Sequence, residues 1–256
     1  MINLKIPVGI SDFEKIRKNQ YYFVDKSGLI EELLNTESNE VTLITRPRRF
    51  GKTLGMSMLA SFFDIRRDSS ELFQGLKISQ KEELCQKWMN QYPVLFVTFK
   101  DVDGLDFQSA KEMLRIQIAD RCNEYLCLIS SEKVNENDKA IFRQLADVVK
   151  GDVSDAMLKT GIALIMRMLQ DYYEKPVILL LDEYDVPLAK ASAHGYYAEM
   201  LEVMRAMIST ALKDNPSLHA DMVVLAIGVT PDTALAKEAG LELGIKGSIV
   251  VNDRME

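Results

Sequence analysis

The sequence predicts an α/β fold, doubly wound about a mainly parallel sheet. Two observations carry that expectation. Short apolar runs at Val41–Thr45, Pro93–Phe99, Pro176–Leu181 and Met222–Ile227 alternate with longer segments of helical periodicity. This is the pattern of parallel strands joined by helical crossovers. The run Val177-Ile-Leu-Leu-Leu181 also lacks polar alternation, as a strand covered on both faces should.

The elements follow in order. Residues 10–35 read as a short loop and an amphipathic helix, with Tyr21, Tyr22 and Phe23 preceding Asp25-Lys26. Val41–Thr45 is a buried strand, and Arg46-Pro-Arg-Arg-Phe-Gly-Lys-Thr53 follows it at once. Leu54 to Phe63 has helical spacing. Pro93–Phe99 is a second strand, followed by a long helix from Phe107 to Leu128. Ser130 to Asp138 is a polar loop, and helices are expected over Lys139–Val149 and Ser154–Tyr173. The most apolar strand, Pro176–Leu181, runs into Asp182-Glu-Tyr-Asp185. Gly195 introduces a helix to Leu212 that Asn215-Pro216 ends. Met222–Ile227 is strand-like, and Asp232–Ala239 is helix-like with Gly240 as its stop. The chain shows no internal repeat.

Composition narrows the function classes. A chain of 256 residues, 47% hydrophobic and 27% charged, can bury a sizeable core and is neither disordered, collagen-like nor a disulfide scaffold. A net charge of −7 provides no global basic field for nucleic acid, although Arg46, Arg48, Arg49 and Lys52 make a local basic patch. Cys85, Cys122 and Cys127 form neither a disulfide framework nor a metal-ligand spacing, which fits a reducing cytosol. No run approaches the ~20 apolar residues of a membrane span, and Met1–Pro7 lacks a leader pattern. A cytoplasmic location without a membrane partner is expected. His194 and His219 read as loop residues, and Met204, Met207 and Ile208 as helix-spaced core.

The chemistry concentrates at two strand ends. Gly51-Lys52-Thr53, between a strand and a helix, fits the end of a phosphate-binding loop, G-x-x-x-x-G-K-[ST]. In such a loop, backbone N–H groups and the helix N-terminus cradle phosphates. Gly51 would let the chain pass close to the phosphates, and the Lys52 ammonium would reach them. The Thr53 hydroxyl would ligate Mg²⁺. Arg46 stands where the pattern has its first glycine. The other reading of the loop is a basic turn, solvated or touching nucleic acid. At the second strand end, Asp182-Glu183 place two carboxylates where open α/β sheets bind ligands. Asp182 would hold Mg²⁺ and Glu183 would polarise the attacking water; an acidic turn is the alternative. Asp185 would either support the metal-binding acids from behind or sit in a surface turn, and the turn is the favoured reading. Together the two strand ends supply a cation, a metal anchor and a base, which makes the sheet one of P-loop NTPase type.

Longer strings then carry a resemblance. Ile6-Pro-Val-Gly-Ile-Ser-Asp-Phe13, Tyr22-Phe-Val-Asp-Lys26, Arg46–Thr53, Tyr92–Lys100, Leu181–Leu188 and Met204–Lys213 resemble the bacterial AAA-ATPase-like family, whose members often carry a PD-(D/E)XK-type nuclease domain. In that family Arg replaces the first loop glycine. The resemblance implies ATP and Mg²⁺ as cofactors. It places Arg48, Arg49, Phe50, Gly51, Lys52, Thr53 and Leu54 around the nucleotide, with Thr53 and Asp182 on the metal. Asp182, Glu183 and Lys52 are its implied catalytic residues. Nucleic acid is implied as a partner only through a nuclease domain missing from this chain, and an oligomer is compatible.

The last 38 residues contain none of the 20 aromatic residues. His219–Thr233, Leu235–Gly244 and Ile249–Asp253 are similar to the FAD-dependent pyridine nucleotide-disulfide oxidoreductases, in the segment before their second FAD-contacting Gly-Asp. They contain no G-x-G-x-x-G and no redox cysteine pair, so flavin chemistry is not expected. The expectation is therefore chimeric: an incomplete ATPase-like domain over 1–218 and a foreign β-α-β-like tail over 219–256. The tail's apolar run would pair as a further parallel strand. A truncated domain implies an ATP-binding core with weak or no hydrolysis. The alternative is a non-catalytic nucleic-acid-binding or scaffold module using the basic loop 46–52.

Overall fold

The computed structural model describes residues 5–35, 41–47, 51–149, 153–213 and 222–229. The segments Asn215-Pro216, His219 and Asp232–Gly240 lie outside the described residues, as do Arg48, Arg49 and Phe50.

Four strands form one parallel sheet: β1 (Val41–Pro47), β2 (Val94–Thr98), β3 (Ile178–Asp182) and β4 (Met222–Val229). Their order across the sheet is β1-β4-β3-β2. The chain thus leaves β1 at one edge, crosses to β2 at the other, returns through β3, and closes the gap with β4. Ile44 of β1 is level with Ala226 of β4, which is level with Asp182 of β3, which is level with Thr98 of β2. All four strands point the same way, so the residues that follow β1, β2 and β3 emerge at one edge. The strand expected at Met222–Ile227 is present and runs two residues further, to Val229. It belongs to the expected tail and lies between two strands of the expected ATPase part.

Alternate residues of β2 and β3 feed two cores. Leu95, Val97, Leu179 and Leu181 pack on one face with α6 (Phe107–Glu124), α7 (Glu136–Ala146), α8 (Asp155–Tyr173), α9 (Val186–His194) and α10 (Tyr197–Lys213). Val94, Ile178 and Leu180 pack on the other with α1 (Phe13–Lys18), α2 (Gly28–Asn35) and α3 (Lys52–Phe63). All five residues of β3 are buried, which accounts for its unbroken apolar sequence. The result is a mixed α/β architecture, a small parallel sheet with helices on both faces.

Several boundaries differ from the sequence reading. Residues 10–35 hold two helices, because Asn19 and a left-handed Gln20 (φ 55°) end α1 before Asp25 starts a new turn. The helix expected to reach Leu128 stops at Glu124 and gives way to a 3-10 segment over Leu126–Ser130. α7 begins at Glu136, where Asn135 accepts a hydrogen bond from the Asn137 amide as its cap. Three α-helices and one 3-10 segment were not expected: α4 (Ser70–Phe73), Lys77–Gln80, α5 (Glu82–Trp88) and α9. His194 is the last residue of α9 rather than a loop residue. Met204 and Met207 are buried in the core as expected, with Ile208 packed at its margin.

Two fastenings hold the frame beneath the site. The Ser57 hydroxyl on α3 accepts a 3.0 Å hydrogen bond from the Phe13 amide of α1. At the far end of α3, Arg66 pairs with Asp64 and Glu124 and lies 4.5 Å over the Tyr125 ring. The Tyr125 hydroxyl in turn donates to the Val94 carbonyl at 2.6 Å. Beyond β2 the chain returns tightly into α6. A Cβ on Gly104 would stand 2.4 Å from the Ala110 backbone nitrogen, so any side chain must push the helix outward. Gly104→Ala is expected to destabilise the fold by about 1–3 kcal/mol. A chemical-denaturation midpoint equal to that of the wild type would contradict this packing.

Candidate functional site

Gly51, four residues beyond the end of β1, is the N-cap of α3, with φ 74° and ψ 33°. This left-handed conformation is easy for glycine and costs other residues roughly 1–2 kcal/mol. The residue type at 51 is therefore set by backbone geometry as well as by any ligand. The Gly51 carbonyl accepts the first hydrogen bond of the helix, from the Gly55 amide at 2.9 Å. Gly51 has no side chain to cap α3, and the first turn of a helix presents amides that can receive an anion. Lys52, Thr53 and Leu54 follow on that turn, each half-buried.

Across the sheet edge, Asp182 is the last residue of β3 and has no solvent exposure. Both of its carboxylate oxygens are buried without a hydrogen-bond partner. The Thr53 hydroxyl lies near them. Burial pushes the Asp182 carboxyl above its ordinary range. The nearby Thr53 hydroxyl and Lys52 ammonium pull it down, while the Glu183 charge adds to the rise. A buried carboxylate with two unpartnered oxygens is costly unless a cation or proton arrives.

Glu183 comes next, in a left-handed conformation of its own (φ 53°). Non-glycine residues rarely hold this geometry outside turns and functional sites. Its carbonyl accepts from the Val186 amide at 3.0 Å, closing the turn into α9. Asp185, expected to be a surface turn residue, is half-buried instead. It is the N-cap of α9, and one of its carboxylate oxygens is buried without a partner. The signal for α9 was Pro187 at the start of the helix, a preferred place for proline.

A cleft of about 940 Å³ lies over these residues, lined by Gly51, Lys52, Thr53, Glu183, Asp185 and the Gly9–Ser11 segment, among others. Its volume falls within the usual range for small-molecule sites. A second hollow of about 450 Å³ meets it at Gly51 and Lys52 and is lined by Lys26, Leu29, Ile44 and Gly55. The structure thus brings Gly51, Lys52, Thr53, Leu54, Asp182 and Glu183 to one edge. Lys26 and the Gly9–Ser11 segment are lining residues that the local pattern did not single out. Among the described residues no group of three His, Cys, Asp or Glu side chains could hold a metal ion, and no helix is long and apolar enough to cross a membrane. Cys85, Cys122 and Cys127 are free thiols, and burial pushes Cys122 up to about 12.

The family described as "AAA-ATPase_like: Predicted AAA-ATPase" matches residues 7–235, a span that includes Gly51–Leu54, Asp182–Asp185 and β4. The match runs past the boundary expected at 218–219. A protein of Azotobacter chroococcum mcd 1, described as "Uncharacterized protein in vnfD 5'region", is similar at 37% identity over 247 residues. The aligned region covers 94% of this chain, and the chain spans only 40% of that relative. No solved structure matches.

Proposed function

The chain belongs to the AAA-ATPase-like family, and on that premise we propose that it is a Mg²⁺-dependent ATP-binding core. The observation that carries this reading is the pairing of a glycine-capped helix start bearing Lys52 and Thr53 with a buried, unpartnered Asp182. One side supplies positive potential and N–H donors for phosphate; the other supplies a carboxylate in need of a cation.

The residue roles follow from position. The α3 amides and the Lys52 ammonium bind the phosphate chain, with Gly51 giving it room. Leu54 lines the cleft beside them. Arg48, Arg49 and Phe50 would complete the loop around the phosphates. Asp182 and the Thr53 hydroxyl offer hard oxygen ligands, which fits Mg²⁺: that ion is held by one or two protein oxygens, with water and phosphate completing its shell. When bound, the metal would neutralise phosphate charge and polarise the transferring phosphoryl group. Glu183, half-exposed at the cleft, can accept the proton of an attacking water. The left-handed backbone at Glu183 fixes the point from which its side chain leaves the strand end.

Thermal unfolding with and without nucleotide tests the proposal. At a ligand concentration of 100 Kd, binding stabilises a protein by about 2.7 kcal/mol. For a chain of this size that shift corresponds to roughly 5–10 °C. ATP with Mg²⁺ should produce it, and a midpoint unmoved by millimolar Mg²⁺ and ATP would contradict the reading.

A further inference from the structure

Lys26 stands far from Gly51 in sequence and against it in space. A Cβ on Gly51 would lie 3.2 Å from the Lys26 Nζ, so the ammonium rests beside the bare Cα at which the chain turns into α3. The backbone that carries it is firmly mounted. One Asp25 carboxylate oxygen accepts from the Ser27 amide at 2.8 Å, and the other from the Lys77 amide at 2.8 Å. The buried Ser27 hydroxyl oxygen accepts from the Ile78 amide at 3.1 Å. The Lys26 carbonyl accepts from the Leu29 amide at 3.0 Å as α2 begins. These bonds fix Asp25, Lys26 and Ser27 as one rigid turn. Burial works against the Asp25 charge, but the Ser27 and Lys77 donors outweigh it and hold the carboxyl below its ordinary range.

The surroundings favour an anion. Lys26, Lys52 and Lys77 line the 450 Å³ hollow with Asp25 and Glu32, and Asp25 is already committed to amide donors. The N-terminus of the 12-residue α3 adds partial positive charge at the same point.

We propose that Lys26 is a second phosphate-binding lysine of this site, donating from Nζ to the phosphate chain on the α2 side of Gly51 while Lys52 donates from α3. The inference rests on the nucleotide reading and adds to it a residue from a separate element. It also assigns a purpose to the Asp25–Ser27 turn, which is to hold one ammonium over one glycine.

The test is equilibrium titration of ATP and adenosine on wild type, Lys26→Met and Lys52→Ala. Methionine keeps the length of the side chain and removes its charge. Lys26→Met should weaken ATP about 10- to 100-fold, the worth of a charge-assisted contact, and leave adenosine within about twofold. The salt dependence of ATP affinity should also become shallower. Wild-type ATP affinity in Lys26→Met, with Lys52→Ala impaired, would overturn the Lys26 assignment and leave the nucleotide reading standing. Equal losses for ATP and adenosine would mean a structural role and overturn it too. A wild type that binds no ATP would overturn both. Should Lys26→Met fail to fold, acetylation of wild-type lysines read by mass spectrometry decides the matter. Saturating Mg²⁺ and ATP should slow modification of Lys26 and Lys52 alike, and an unchanged Lys26 rate would overturn the assignment.

Discussion

Lys52→Ala is expected to weaken ATP binding about 100-fold, or ~2.7 kcal/mol. The loss exceeds that of an ordinary surface contact because the ammonium sits on the first turn of α3, beside helix amides already oriented towards the same anion. The fold itself should barely respond. Lys52 is half-exposed and is not among the residues of either apolar core, although its charge offsets that of the buried Asp182. Substitutions of that kind fall within about 0.5 kcal/mol of the wild type in stability. Titration with a fluorescent ATP analogue, alongside the denaturation midpoint, separates the two quantities. An affinity within about twofold of the wild type would remove Lys52 from the phosphate site.

Asp182→Asn has the second large effect, and its two readouts should move in opposite directions. The Mg²⁺-dependent part of ATP affinity should disappear, because the substitution removes the fully buried carboxylate at the end of β3. Stability without nucleotide should rise by about 1–3 kcal/mol at pH values above the raised Asp182 value, where the wild-type side chain is a buried charge. The sign of the pH dependence follows from the raised folded-state pKa. Between the unfolded and folded values the folded state holds the extra proton, so the Asp182 contribution favours folding at low pH. It is lost as pH rises through the raised value. The Asn variant should lack that segment of the stability–pH curve. A variant less stable than the wild type at pH above the raised value, with Mg²⁺-dependent affinity intact, would contradict a cation role for Asp182.

The meeting of these residues at one sheet edge was legible because they sit where local patterns change. Gly51, Lys52 and Thr53 fall at a strand-to-helix transition, and Asp182 and Glu183 end the most apolar strand in the chain. The four strands were legible for the same reason, since each is an apolar run bounded by polar residues. Sequence order alone does not say that β4 lies between β1 and β3, because that placement comes from long-range pairing. Asp185 does lie in the turn into α9, as its N-cap, but it is half-buried with one oxygen sheltered, where an acid after Asp-Glu-Tyr reads as exposed. Lys26 closed one of the strings that carry the family resemblance, but nothing local placed it beside Gly51. Its nearness to Gly51 depends on the Asp25–Ser27 turn being fastened to Lys77 and Ile78. The helix α5 escaped notice because none of its residues is fully buried, so it has little apolar periodicity to read.

The most direct test of the account is calorimetric titration of the wild-type chain with ATP, first in Mg²⁺ and then in excess chelator. The account predicts a single site per chain that is clearly weakened when the metal is withdrawn, with Lys52→Ala weakened in both conditions. ATP binding that is absent in the presence of Mg²⁺, or that neither chelation nor Lys52→Ala alters, would contradict it.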